Sequence, residues 1–370
     1  MKIHTVRAGE RISDIAKLYG VSEETLRRHN TIERDTICEG EELLILIPTR
    51  TYMTKPKDSP NGVAARFGIT PAALVKNNPE LSESKMPRTL TLKYAPPSYG
   101  SAAANGYFYK GCSGSRLVKA LPYLTYATFA EALITERGCI KIFDASDAIK
   151  LCKNSAVVPL VKFFDKRDEQ IWDSEIAEAM IEYAKKGGFY GITLELSLNT
   201  PNKTEELLLR LREKMIGNDL ILISEIDGIP NSRLIDYSDG CCLLKESPQP
   251  SQDYIRSLSL LSEASQSAKT FVELPAFGAF EKEYIQINEA QNLARRSEAT
   301  IETDEATLLS SFDTKRKGRI IYPSLRYIKA ILDAVNEYGY MGVSFDISRI
   351  PPSYLYAFGS LFKVLKSYTH

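Results

Sequence analysis

The residues best placed to do chemistry lie in one short run, Gly187-Gly188-Phe189-Tyr190-Gly191-Ile192-Thr193-Leu194-Glu195-Leu196-Ser197. The paired glycines read as a helix C-terminus. After them apolar Ile192, Leu194 and Leu196 alternate with Thr193, Glu195 and Ser197, the two-residue period of a strand. A strand apolar on one side and polar on the other suits a barrel wall, its apolar face against helices and its polar face turned inward. Glu195 is the carboxylate of the run. General acid catalysis by such a group requires it to be held protonated and within reach of a leaving oxygen. Ser197, two residues further along, can donate a hydrogen bond but is no acid near neutral pH.

Positioning these residues takes the whole C-terminal part of the chain. Strand-like stretches fall near Tyr107–Tyr109, Leu124–Phe129, Val157–Phe163, Gly191–Ser197, Leu220–Ser224, Gly240–Leu244, Thr270–Pro275 and Gly342–Ile347. Amphipathic segments such as Asp173–Lys186, Thr204–Lys214 and Ser324–Tyr338 lie between them. The alternation predicts an α/β barrel over residues 105–370, Gly191–Ser197 being its fourth strand, with a small insertion at about 280–322. An open doubly wound sheet fits less well, because no glycine-rich phosphate turn follows the first strand; no cofactor is expected. Ahead of the barrel, 96–104 is rich in Pro, Gly, Ser and Ala and reads as a linker.

The first 95 residues contain a repeat. In residues 1–49, Ile3–Val6 predicts a strand, Ser13–Tyr19 and Ser22–Arg28 two helices, the second capped by Ser22, and Leu43–Ile47 a closing strand. Residues 50–95 carry the same order in Tyr52-Met53-Thr54, Asp58-Ser59, Val63-Ala64, Phe67-Gly68-Ile69, Leu74, Asn78-Pro79 and Leu90-Thr91-Leu92. In this copy Lys57 replaces a turn glycine and Pro60 an apolar residue.

Composition excludes several classes of function. Lys+Arg and Asp+Glu both total 47 in 370 residues, a net charge of +0 that speaks against nucleic acid and anionic membrane as partners. The six cysteines, Cys38, Cys112, Cys139, Cys152, Cys241 and Cys242, form no C-x-x-C pair, and the three histidines are His4, His29 and His370. Neither a metal site nor a disulfide framework is expected. The chain starts directly in the first strand, and no run is long enough to span a bilayer, so synthesis in the cytosol without a signal peptide is expected.

Residues Val6-Arg7-Ala8-Gly9-Glu10-Arg11-Ile12-Ser13-Asp14-Ile15-Ala16, then Val21-Ser22, Leu26, Asn30 and Gly40-Glu41-Glu42-Leu43 up to Pro48 resemble a LysM repeat along its whole length. The second copy resembles it less closely. LysM repeats bind N-acetylglucosamine-containing chains in a shallow groove between the loop after the first strand and the loop after the second helix. The resemblance places that groove at Gly9, Glu10, Arg11, Ile12, Asn30, Thr31 and Ile32, and at Asp58, Ser59, Pro60, Asn78 and Pro79. Gly9 and Asn30 also suit the plainer roles of turn and cap residues. Turn amides and small polar side chains match a neutral glycan, and two weak grooves in tandem raise avidity for a polymer.

The run around Glu195 resembles the D-G-x-D-x-D-x-E signature of family-18 glycoside hydrolases, and the whole chain is similar to their spore-associated branch, in which two LysM repeats precede a TIM barrel. Asn105-Gly106-Tyr107, Pro122-Tyr123-Leu124-Thr125-Tyr126, Val158-Pro159-Leu160, Leu274-Pro275-Ala276-Phe277-Gly278 and Tyr338-Gly339-Tyr340-Met341-Gly342-Val343-Ser344 fall in order with the branch. In that family the acetamido oxygen of the sugar attacks its own anomeric carbon while a Glu protonates the departing oxygen. Here Tyr190 stands at the first Asp, Thr193 at the middle one, Glu195 at the third and Ser197 at the proton donor. Lys245 replaces a sixth-strand Tyr, with Glu246 beside it, and Asp346 replaces an eighth-strand Trp; Trp172, the only tryptophan, lies elsewhere. Loss of general acid catalysis costs roughly 10²- to 10⁴-fold.

Two readings follow from the resemblance. In one, Glu195, Lys245 and Asp346 form a salt-bridge cluster in the barrel mouth, and the chain binds peptidoglycan or a chitin-like glycan, with spore coat proteins as further partners. In the other, it is an N-acetylglucosaminidase-like hydrolase of cortex peptidoglycan. Its acid is then Glu195, about 6.6 Å deeper than Ser197 by ordinary strand rise. Both place the protein at the spore cortex or coat, reached from the mother cell, or otherwise at the cell wall.

Overall fold

The computed structural model describes residues 1–33, 36–78, 80–81, 86–135, 138–165, 174–196, 201–227, 235–244, 252–264, 267–281 and 283–366. Ser197, Lys245, Glu246, Pro79, Trp172 and His370 lie outside the described residues. No described helix is long and apolar enough to cross a membrane.

Two small units come first. Strand β1 (Lys2–Thr5) pairs antiparallel with β2 (Glu42–Ile45), enclosing helices Ile12–Tyr19 and Glu23–Asn30; β3 (Pro48–Met53) and β4 (Thr89–Tyr94) enclose Pro60–Phe67 and Pro71–Asn77 in the same way. Ser22 caps its helix by accepting the Thr25 N–H at 3.1 Å, as expected, and Ser59 does the same for Gly62. Each unit closes over its own core: Ile12, Ile15, Leu26, Ile32 and Leu43 in the first, Val63, Leu74, Leu90 and Leu92 in the second.

The remainder is a closed barrel of parallel strands, in the order β5 (Ser101–Phe108), β6 (Tyr126–Thr135), β8 (Val158–Asp165), β9 (Gly191–Leu196), β10 (Ile221–Asp227), β11 (Gly240–Leu244), β12 (Thr270–Glu273) and β18 (Gly342–Asp346), with β18 returning to β5. A short strand β7 (Gly138–Lys141) runs antiparallel along β6. The predicted strands all exist; Gly240–Leu244 has its expected bounds, and most of the others have shifted ends. Residues 101–104, expected in the linker, form the start of β5, where Ala102, Ala103 and Ala104 are buried. β10 runs three residues beyond the expected Ser224, to Asp227. Gly191 opens β9 because a Cβ there would lie 2.4 Å from the Ile221 carbonyl oxygen.

Between β12 and β18 sits the α+β insertion. Its antiparallel sheet contains β13 (Phe277–Phe280), β14 (Glu283–Gln286), β15 (Glu302–Thr303), β16 (Leu309–Thr314) and β17 (Gly318–Pro323), backed by helix Ile287–Ser297. This insertion holds the first N-terminal unit. Arg295, buried at the end of its helix, donates to Glu41 Oε1 at 2.6 Å and to the carbonyls of Asn30 and Thr31 at 3.1 and 3.0 Å. The Ile301 N–H donates to Glu39 O at 2.8 Å, and Arg326 bonds Glu42. Gly40, at φ +79°, lets the two backbones approach so closely that any Cβ would strike the Ile301 carbonyl.

Candidate functional site

Strand register decides which side chains share the barrel interior. Thr193 lies beside Lys162 and Ile223, and Glu195 beside Glu225, so these inward positions form successive layers. Lowest are Ala103, Val158 and Phe271, fully enclosed. In the middle, Thr128 donates to Asn105 Oδ1 at 2.8 Å and lies 3.4 Å from the Thr193 hydroxyl. Above them the interior becomes ionic.

Lys162 occupies the centre of that upper layer. Its ammonium donates to Glu225 and lies 3.1 Å from Glu195 Oε2. The rings of Tyr107 and Phe164 flank it at 5.6 and 5.5 Å. Burial works against the Lys162 charge, but Glu225, Tyr109 and Glu195 together outweigh it and raise its pKa. Glu225 is fully buried; burial raises its pKa although Lys162 opposes the shift. Its Oε1 has no hydrogen-bond partner among the described residues. Glu195 differs, its side chain 55% exposed toward the open end of the barrel. The inward direction expected for Glu195 is therefore observed, but its cationic partner is Lys162.

Asp346 does not join this group. It pairs with Arg349 at 2.9 Å and accepts the Ser348 N–H at 3.0 Å. Arg349 in turn covers the rings of Tyr109 and Phe277. Of the expected Glu195–Lys245–Asp346 cluster, Lys245 lies outside the described residues, and the two carboxylates do not share a cation among the described residues: Glu195 faces Lys162 and Asp346 pairs with Arg349. Tyr190 is also misplaced in a mouth reading. It precedes β9, donates its N–H to Pro159 O and lies under Lys153, at the opposite end of the barrel from Glu195.

Lys162 and Glu225 were absent from the sequence-based site. Both stand in apolar strands at positions that alternation turns inward, Val161-Lys162-Phe163 and Ser224-Glu225-Ile226. An inward charge within an apolar strand was the available signal. Ending the fifth strand at Ser224 left Glu225 out.

In the N-terminal units the groove residues divide by burial. Asn30 is buried, its amide donating to Leu26 O and Leu44 O while its Oδ1 accepts the Leu44 N–H at 2.6 Å. Asn78 does the same with Leu74 O, Thr91 O and Thr91 N–H. Both amides tie the end of the second helix to the closing strand, so they are unavailable to a ligand. Ile12 and Ile32 belong to the core. Glu10 and Asp58 each accept a backbone N–H at 2.7 Å, from Arg7 and Lys55 respectively, which holds both carboxyls below their usual pKa. Gly9, Arg11, Ser59 and Pro60 remain on the surface. Thr31, at φ +52°, has its carbonyl engaged by Arg295.

The same two units, at residues 4–45 and 52–88, match the LysM domain. The two N-terminal units are LysM domains. The complete LysM-plus-barrel chain resembles the spore cortex-lytic enzyme SleL of Bacillus megaterium QM B1551 over 98% of both chains, at a TM-score of 0.73 and 15% identity. It resembles Bacillus cereus SleL over 99% of both chains, at 0.72 and 14%. A chitinase from Chromobacterium violaceum ATCC 12472 matches 70% of this chain and 98% of its own, at 0.60 and 17%. At these identities the likeness establishes the fold. No curated protein matches the chain.

None of the six cysteines is in a disulfide. Among the described residues no cluster of His, Cys, Asp and Glu has the make-up of a metal site.

Proposed function

We propose that this protein binds N-acetylglucosamine-containing glycan, specifically peptidoglycan of the spore envelope, through its LysM domains, and that its barrel does not hydrolyse the polymer. The observation carrying this reading is the lysine at the centre of the barrel mouth. A glycosidase acid must carry a proton and deliver it to the leaving oxygen. Glu225 is sealed from solvent on Lys162, and Glu195 faces the same ammonium. An ion-paired layer of this kind fixes barrel geometry.

The LysM domains support glycan binding through the exposed loops that include Gly9, Arg11, Ser59 and Pro60, with backbone amides as donors. The likeness to cortex-lytic enzymes supports a place at the spore cortex or coat, where coat proteins are further candidate partners. With a net charge of +0, retention on the polymer rests on local contacts and not on overall charge attraction. One observation favours the competing hydrolase reading: Glu195 is open to solvent at the mouth, where a sugar could reach it.

Cosedimentation with insoluble peptidoglycan and with chitin tests the binding claim. The full chain is expected in the pellet with either polymer. A chain that stays in the supernatant with both would refute glycan binding.

A further inference from the structure

The two LysM domains meet the barrel around a cavity of about 640 Å³, well away from the barrel mouth. Its wall includes Tyr94 of the second LysM domain, His29 of the first, and Tyr123 and Tyr356 of the barrel. His29 and Tyr356 rings lie 4.8 Å apart, and Tyr94 and His29 are joined at 3.2 Å. Three separate folding units thus contribute to one aromatic-lined space of the size that encloses a small ligand.

The charge of this space is one-sided. Lys76 and Lys93 line it, and no Asp or Glu does so among the described residues. Lys76 lies 5.1 Å over the Tyr123 ring and has no carboxylate within ion-pair distance among the described residues. Burial alone lowers its pKa. Behind it Lys366 is spent on two carbonyls, Leu121 O at 2.7 Å and Leu124 O at 2.8 Å. His29 is held neutral by burial and the neighbouring Arg28 charge, so it supplies no anion and little cation. Arg28 is engaged by Glu80 outside the cavity wall. A half-buried ammonium against aromatic rings, with no counter-charge, is complementary to a ligand carboxylate.

We propose that this interdomain cavity binds a carboxylate-bearing sugar unit, its ring against the tyrosines and its carboxylate on Lys76, with Lys93 at the rim. The proposal rests on the glycan reading above and adds to it a second, acid-selective subsite separate from the LysM grooves. In peptidoglycan the alternate sugar bears a lactyl ether whose carboxyl is free where the peptide stem has been removed, and the peptide stem itself offers a second source of carboxylate.

The test is calorimetric titration of the full chain with three probes: the N-acetylglucosaminyl–N-acetylmuramic acid disaccharide without peptide, neutral diacetylchitobiose, and the free stem peptide. The acidic disaccharide should bind the intact protein, and its affinity should fall about 10- to 100-fold in Lys76→Gln, the range for a charge-assisted bond. Lys93→Gln should give a smaller loss that disappears at high salt. Unchanged affinity of the acidic disaccharide in a folded Lys76→Gln, an equal loss of diacetylchitobiose binding in that variant, or binding of the stem peptide alone would each overturn the proposal. Cosedimentation with chitin separates the two claims, since it reports the LysM grooves and should survive Lys76→Gln. Loss of sedimentation with retained disaccharide binding would refute the groove reading and leave this site standing.

Discussion

Replacing Lys162 by Met removes the cation from the centre of the barrel and leaves Glu225 buried. Lys162 is 3% exposed and Glu225 0%, so water cannot replace the lost partner. Removing one member of such a pair costs about 3–5 kcal/mol. The cost should depend on pH. Burial already raises the Glu225 pKa against the pull of Lys162, and without that lysine it rises further. The folded variant then holds a proton that the unfolded chain releases near the ordinary Glu value of about 4.3. Stability contributed by a raised carboxyl is complete below its unfolded pKa and is lost as pH climbs through the folded one, at about 1.4 kcal/mol per unit. Urea unfolding followed by circular dichroism should therefore show the Lys162→Met penalty largest near pH 8 and much smaller near pH 5. A Lys162→Met/Glu225→Leu double variant should recover most of the loss, because it leaves no unpaired buried charge, Glu195 being open to solvent. A penalty below about 1 kcal/mol, the same at both pH values, would refute the role given to this pair.

Three further outcomes follow from the same structure. Asn30→Ala and Asn78→Ala should each destabilise their own LysM domain by about 1–3 kcal/mol per buried partner left unsatisfied, read by hydrogen exchange of Leu44 and Thr91; unchanged exchange with lost glycan retention would instead make them ligand contacts. Arg295→Ala strands Glu41, which is 2% exposed, and should release the first LysM domain from the insertion, seen as faster proteolysis near residues 39–42; an unaltered digestion pattern would contradict the clamp. Thiol labelling of the native protein at pH 8 should reach only Cys112 and Cys139, because Cys38, Cys152 and Cys241 are buried and pushed up to about 12 and Cys242 is enclosed. Rapid labelling of Cys241 or Cys242 would show that the barrel interior is open.

Periodicity exposed the architecture in the sequence because a barrel repeats one signal many times. Ile192, Leu194 and Thr193 were enough to orient the fourth strand, and Ser22 marked the start of the second helix of the first LysM domain. What periodicity could not supply was pairing across distance. Lys162 and Glu225 are 63 residues apart, and only closure of the barrel brings them together. Asp346 looked like a partner for Lys245, beside Glu195, because all three were expected to point into the mouth. The Arg349 side chain one turn further on takes it first. Asn30 and Asn78 were legible as repeated residues, and Asn30 as a candidate cap, but not as ties to the closing strand, since a polar residue at a helix end reads alike whether it faces solvent or a distant backbone. The alanines at 102–104 resembled linker because small residues serve equally in a flexible tether and in a crowded barrel strand.

The central proposal is that this barrel, which shares its fold with cortex-lytic enzymes and chitinases, does not hydrolyse glycan. Its most direct test is release of reducing ends from purified cortex peptidoglycan and from a chitin oligomer, comparing the intact chain with Glu195→Gln. The account predicts no release by either protein while both still sediment with the polymer. Turnover by the intact chain that is abolished in Glu195→Gln would contradict it and make Glu195 the acid of a working site.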